Sequence, residues 1–331
     1  IKSEKLEKMR DLFTSASQFI KKAISESRPI FIKHHDDVDG YTSGLVLEKA
    51  LRPILNTDRS YLYLTRSSSR TPFYDYTDAL RDLNNFLISR NRYEKPPVII
   101  LSDLGSNLQS LKPIKRLVAY GADFVVLDHH KYDTEIKELS KFFINPHIFD
   151  LGSDLNAGAL ATEFAFFLNP NITEVKHLPA LSGTADKSTG EEHENYVKLS
   201  GYDKKFLEKW TAVIDHEAYY LKFQESYELL EGLFFPSERT FKIIDSLFND
   251  IEKELLPVKA ATQKYALVKK FEKYSFISID KTKTACYGDY ASSKLARIAS
   301  ELVSGPKIVC LETEDSVGFR ADGVKFSVID F

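Results

Sequence analysis

"IFIKHHDDVDG" (residues 30–40) sets an apolar run directly before two His and three Asp. Ile30-Phe31-Ile32 opens a buried strand, and the polar residues gather at its carboxyl end. Carboxylates crowded this closely raise one another's pKa and partly protonate unless something neutralises them. What neutralises them decides what the chain does.

The same grammar recurs downstream. "VIILSD" (98–103) is an apolar strand that ends in Asp103. "DFVVLDHH" (123–130) ends in Asp128, His129 and His130. "YLYLT" (61–65) and "KFFINP" (141–146) bring the strands to five. Helices lie between them. Residues 4–27 carry Leu6, Met9, Phe13, Ala16, Phe19, Ile20 and Ile24 three or four apart, and Pro29 ends that pattern. "TSGLVLEKAL" (42–51) reads as a helix with Thr42 or Ser43 near its N-cap. Residues 75–90, 107–121 and 156–168 are helical as well.

Continuous apolar strands alternating with helices predict an α/β fold, a parallel sheet with helices on both faces. Residues 174–270 read as almost wholly helical, with Pro257 kinking or interrupting the run. Strand character returns at "FISID" (276–280), "KIVCLE" (307–312) and "SVGFRA" (316–321), with a helix near 290–303. That is a smaller C-terminal α/β domain.

Bulk properties narrow the classes. The chain has 331 residues, 43% hydrophobic and 28% charged, as a two-domain soluble protein has. No stretch approaches about 18 apolar residues, so no membrane span is expected. No signal peptide is visible, and Cys286 and Cys310 match no zinc or redox spacing. Reduced core thiols and a cytoplasmic location follow as expectations. A net charge of -3 excludes a uniformly basic nucleic-acid binder. A polyanionic substrate would have to be handled by a local site.

Open parallel sheets bind ligands at the carboxyl ends of their strands. Three strand ends here carry Asp or His, and "LPALSGTADKS" adds Asp186 at the end of a helical segment. Singly, a strand-end Asp is as often an N-cap, and a His is more often a hydrogen-bonded structural residue; His177, His193 and His216 are read that way. Jointly, these residues point to metal. Mixed carboxylate and imidazole donors suit manganese, with magnesium, cobalt or iron as alternatives. The set suffices for two ions about 3.5–4 Å apart, an arrangement that serves phosphoryl transfer. Strand alternation places His35, Asp37 and Asp39 on one face and turns His34 and Asp36 away.

"DDVDG", "LSDLG", "DHH" and "GTAD", in this order, resemble the DHH phosphoesterase superfamily, and among its members the archaeal RecJ-like nucleases. The resemblance implies a DHH catalytic domain over 1–190, a helical connector over 191–270 and a substrate-binding (DHHA1-like) domain over 271–331. It implies two Mn²⁺ ions, with Mg²⁺ as the alternative. Asp37 and Asp39 would each bind one ion and Asp103 would bridge both. His35 would complete the ligand set of the first ion, and His129 with Asp186 would bind the second. Asp128 would orient an imidazole, and His130 would face the scissile phosphate. Asn145, Ser153 and Ala157-Gly158 would shape the floor of the site. "TRSSSR" (65–70) offers Arg66 and Arg70 for a phosphate contact, with a solvated loop as the equal alternative. Arg320 matches the arginine that precedes a "GGGH" turn; the chain ends at Phe331 without that turn, which is expected beyond it.

The implied activity is single-strand-specific exonuclease action on DNA or RNA. Hydrolysis of dinucleotides or cyclic dinucleotides is the first alternative. A replication-complex subunit with a GINS-type partner is the second. DNA against RNA, and the polarity of digestion, stay open.

Overall fold

In the computed structural model, residues 1–55, 60–69, 71–89, 93, 95–221, 227–284, 292–314 and 316–326 are described. They divide into two compact units, Ile1–Ile244 and Asp245–Phe331.

The first unit begins with α1 (Glu4–Ser25), β1 (Ile30–His35) and α2 (Val38–Ile54). Then come β2 (Leu64–Ser69), α3 (Tyr76–Ser89), β3 (Val98–Ser102), α4 (Leu111–Val118), β4 (Asp123–Leu127), α5 (Thr134–Leu139) and β5 (Phe142–Ile144). Five helices follow: α6 (Ala157–Leu168), α7 (Leu178–Ala185), α8 (Glu191–Ser200), α9 (Lys204–Leu221) and α10 (Tyr227–Phe234). The strands form one parallel sheet in the order β2-β1-β3-β4-β5.

Period-two alternation splits each strand between two helical layers. Phe31, Ile99, Leu101, Phe124, Val126 and Phe143 pack with Tyr74, Leu83, Ile114, Leu117 and Ile136, under α3, α4 and α5. The opposite face is covered by α1, α2 and α6. α1 buries Leu6, Met9, Phe13, Ala16, Ile20 and Ala23, one stripe at helical spacing. This is the α/β sheet with helices on both faces that the alternation predicts.

Three local readings are corrected. The helix after β1 starts at Val38 with Asp37 as its N-cap, not near Thr42, because the Asp37 carboxylate accepts from Gly40 N at 2.9 Å. β1 therefore stops at His35, and Asp39 sits in a helical turn. The second strand is Leu64–Ser69 rather than 61–65, so "TRSSS" is an edge strand and not a loop. Among the described residues its one neighbouring strand is β1, and an edge strand with half-exposed side chains tolerates polar residues. Pro257 lies inside the continuous helix α11 (Glu238–Tyr265). It cannot donate to the Lys253 carbonyl, and the Lys253 side chain there is exposed.

The second unit holds β6 (Leu267–Lys270), β7 (Ser275–Asp280), α12 (Ser292–Ser300), β8 (Lys307–Glu312) and β9 (Val317–Asp322). Its sheet has the order β6-β7-β8-β9, parallel only between β7 and β8. β6 escapes the sequence reading because all four of its residues are exposed, which erases any alternation. Cys310 is a buried free thiol, and Cys286 lies outside the described residues. Among the described residues no helix is long and apolar enough to cross a membrane.

Candidate metal centre

The carboxyl ends of β1, β3 and β4 meet, and Asp186 joins them from the C-cap of α7. His35 Nδ1 lies 2.8 Å from Asp37 Oδ2 and 3.5 Å from Asp103 Oδ2. His129 Nε2 lies 3.4 Å from Asp103 Oδ1, 3.4 Å from Asp186 Oδ2 and 3.5 Å from Asp39 Oδ2. Asp103 thus stands between two sets of donors. His35, Asp37 and Asp103 form one set, and Asp39, His129 and Asp186 another; within each, the ligand atoms lie within 4.8 Å of one another.

Each side chain is aimed by the local fold. Asp103 follows the last residue of β3 in a left-handed conformation, φ 59°, while its N–H donates to Leu127 O at 3.0 Å. That conformation strains a non-glycine residue, and Asp and Asn bear it best. The Asp39 carboxylate accepts from Ala157 N at 2.9 Å and Gly158 N at 2.6 Å, at the start of α6, and from the Ser182 hydroxyl. A helix N-terminus thus fixes its orientation. His129 Nδ1 donates to Ser153 O at 3.1 Å, which leaves Nε2 to face the acids. Asp128 lies behind: it accepts from Ser106 N at 3.1 Å, His129 N at 2.8 Å and His130 Nδ1 at 2.7 Å. The His130 side chain is 51% exposed, and Asn145 Nδ2 donates to its main-chain carbonyl at 2.9 Å.

The electrostatics record the crowding. Burial works against a charged His35, yet Asp37 and Asp103 outweigh it and raise its pKa to about 11. Burial is likewise outweighed at His129, which Asp103, Asp39 and Asp186 raise to about 11. Burial and the Asp103 charge push Asp39 up to about 7. Burial, Asp39 and Asp103 push Asp186 up to about 10. Asp37 goes the other way: His35 overcomes burial and holds it well below the usual carboxylate range. Asp128 is also held low, against burial, by the His130 bond. That same bond raises His130. In this form the cluster offsets its negative charge with protons. Hard oxygen and imidazole donors without thiolate are the set that divalent ions such as Mn²⁺ and Mg²⁺ take in place of those protons.

The remaining predicted residues fall elsewhere. Ser153 contributes its carbonyl to His129. Arg66, read as a loop residue, sits on β2 with Glu48 at 2.7 Å and Glu231 as ion-pair partners. Arg320 lies on β9 in the second unit, 3.1 Å from Asp322. Arg70 lies outside the described residues. His35, Asp37 and Asp39 do converge, but through the turn of a strand into a helix rather than along one strand face. Sequence reasoning missed Ser182 and Ser106, whose contacts to Asp39 and Asp128 come from distant segments with no local signal.

Residues 29–179 match the model of the DHH family, N-terminal domain. An uncharacterized protein of Methanocaldococcus jannaschii is 32% identical over 285 residues, covering 76% of this chain and 38% of that protein. The chain therefore spans well under half of that relative's length. Among solved structures, the DHH domain of a member of the s1p family of ribosomal proteins matches with a TM-score of 0.89 at 30% identity, over 97% of this chain and 80% of that one. Exonuclease RecJ bound to manganese matches with a TM-score of 0.62 at 14% identity, over 96% and 84%, a likeness of fold.

Proposed function

We propose that this chain, which belongs to the DHH family, is a metal-dependent phosphodiesterase that trims single-stranded nucleic acid from one end. The observation that carries the reading is Asp103 standing between the His35–Asp37 pair and the Asp39–His129–Asp186 group. That division would hold two ions, with Asp103 within reach of both. The manganese of the RecJ neighbour favours Mn²⁺, with Mg²⁺ as the alternative. When bound, such a pair supplies a water nucleophile at neutral pH and stabilises charge on the attacking and leaving oxygens.

The chain's own residues do the rest. Asp39 and His129 are pre-aimed by the α6 amides and by Ser153 O, so little reorganisation accompanies the reaction. His130 donates from Nδ1 to Asp128, and that bond raises its pKa, so the imidazolium form is favoured and its Nε2–H can give a proton to a departing oxygen. In this reading residues 1–190 carry the catalysis, 191–270 connect, and 271–331, with Arg320, bind substrate. Ser153 acts through its carbonyl. That a 30%-identical neighbour is a member of the s1p family of ribosomal proteins favours RNA over DNA.

The test is digestion of end-labelled single-stranded RNA and DNA in Mn²⁺ by wild type and Asp103→Ala. Loss of the shared ligand is expected to lower kcat by about 10³-fold, the upper end for one charge-stabilising group. Equal cleavage by both proteins overturns the proposal.

A further inference from the structure

On the opposite face of β1 from His35 lies a second polar network, which the proposed chemistry does not use. His34 is fully buried there. Arg66 Nη1 lies 3.0 Å from His34 Nε2. A guanidinium only donates, so Nε2 accepts and the ring hydrogen is on Nδ1. Nδ1–H then donates to the main-chain carbonyl of His35, 2.8 Å away. That carbonyl is where the strand gives way to the acidic turn. A Cβ on Gly40 would meet it at 2.2 Å, so the turn folds directly back upon it.

Both ends of the network are anchored. Arg66 Nε is 2.7 Å from Glu48 of α2, and Nη2 is paired with Glu231 of α10. α2 makes room for the imidazole: a Cβ on Gly44 would come within 2.3 Å of His34 Cδ2. Tyr41 meets the ring edge-on at 4.8 Å. A buried imidazole with both nitrogens bonded, its tautomer set by an arginine, is more than the filling of a core position requires.

We propose that His34 and Arg66 are positioning residues for the metal centre: together they fix the His35 carbonyl, and with it the spacing of His35, Asp37 and Asp39. The inference rests on the metal-dependent reading above. Partners that orient ligands in this way change metal affinity by about 10–100-fold when removed.

Calorimetric titration of Mn²⁺ into the whole chain tests it, with folding followed by circular dichroism. His34→Phe fills the ring's volume without a donor, whereas His34→Asn keeps a donor near the Nδ1 position. The Phe variant is expected to bind Mn²⁺ about 10–100-fold more weakly, and the Asn variant to stay within a few-fold of wild type. Adding Arg66→Met to His34→Phe is expected to weaken binding no further, since both act through one bond. A folded His34→Phe that binds as wild type does, an Asn variant as weak as Phe, or additive losses would each overturn the proposal. If His34→Phe does not fold, Arg66→Met alone decides: tenfold weaker binding supports the proposal and unchanged binding overturns it. A wild-type chain that binds no Mn²⁺ rejects the metal centre itself. Binding without cleavage rejects only the nuclease reading.

Discussion

Lys33 and His35 lie two residues apart on the same face of β1, and each meets buried carboxylates. Around Lys33 the ammonium is 3.6 Å from Asp78 and 3.5 Å from Asp82. The Ser69 hydroxyl donates to Asp78 at 2.7 Å, and the Tyr74 hydroxyl to Asp82 at 2.7 Å. One buried cation and two hydroxyls serve two acids, with the exposed Arg81 guanidinium 3.9 Å from Asp78, all from the chain itself. Around His35 five carboxylates, Asp37, Asp39, Asp103, Asp128 and Asp186, share three imidazoles. There Asp39 rises to about 7 and Asp186 to about 10. The first cluster is matched by protein groups, although burial still raises the Asp82 carboxyl above its ordinary value. The second keeps an excess of acid in positions that suit a cation, and that excess separates a candidate site from a structural ion pair.

The strongest way to break this contrast is to open the matched cluster. Lys33→Met leaves Asp82 buried without a cation and Asp78 with only the exposed Arg81 at 3.9 Å, and is expected to cost about 3–5 kcal/mol of stability in urea unfolding. A loss below about 1 kcal/mol would mean that these acids need no counter-charge.

The contrast was only half visible in the sequence. Asp103, His129 and Asp186 could be named in advance because each polar residue ends an apolar run or a helix, and a parallel sheet gathers such ends. The Lys33 cluster could not, since its partners lie on α3 and "IFIK" gives Lys33 no mark. The donors to Asp39 lie 118 and 119 residues away, which no periodicity reports. The helix start was misplaced because "DDVDG" holds no apolar repeat. The signal is the Asp37 cap, and an Asp in that acidic run reads equally as a ligand. β2 was misplaced because "YLYLT" has the apolar look of a strand, whereas the true strand sits at an edge where polar side chains suffice.

A smaller effect sharpens the contrast from the other side. Mn²⁺ at a hundredfold excess over its Kd is expected to raise stability by about 2.7 kcal/mol, in wild type and Lys33→Met alike. Binding should also expel protons. His35 and His129 at about 11 and Asp186 at about 10 hold protons at neutral pH that ligands cannot keep. Because the metal-free form binds more protons, affinity rises with pH, with release of about three protons per chain when both positions fill. Calorimetry in buffers of different ionisation enthalpy counts them, and a pH-independent affinity would contradict the assignment.

The smallest effect concerns one hydroxyl. Tyr74→Phe deprives Asp82 of a donor and is expected to cost about 1–2 kcal/mol while Mn²⁺ affinity stays unchanged. A change in affinity would show that the two clusters are coupled.

The order β2-β1-β3-β4-β5 keeps the three strands whose ends carry the proposed ligands in the middle of the sheet. Sheets breathe from their edges, where one ladder rather than two must open. Here each edge has its own line to the centre. β2 carries Arg66, which reaches the His35 turn through His34. On the far side, the carbonyl of Ile144 at the end of β5 accepts from Asp128 N, and Asn145 holds the His130 carbonyl. Fraying at β2 would thus reach the residues proposed to hold metal, and fraying at β5 the one proposed to pass a proton. Amide exchange slowed or hastened at one edge would register in a different function from the same event at the other.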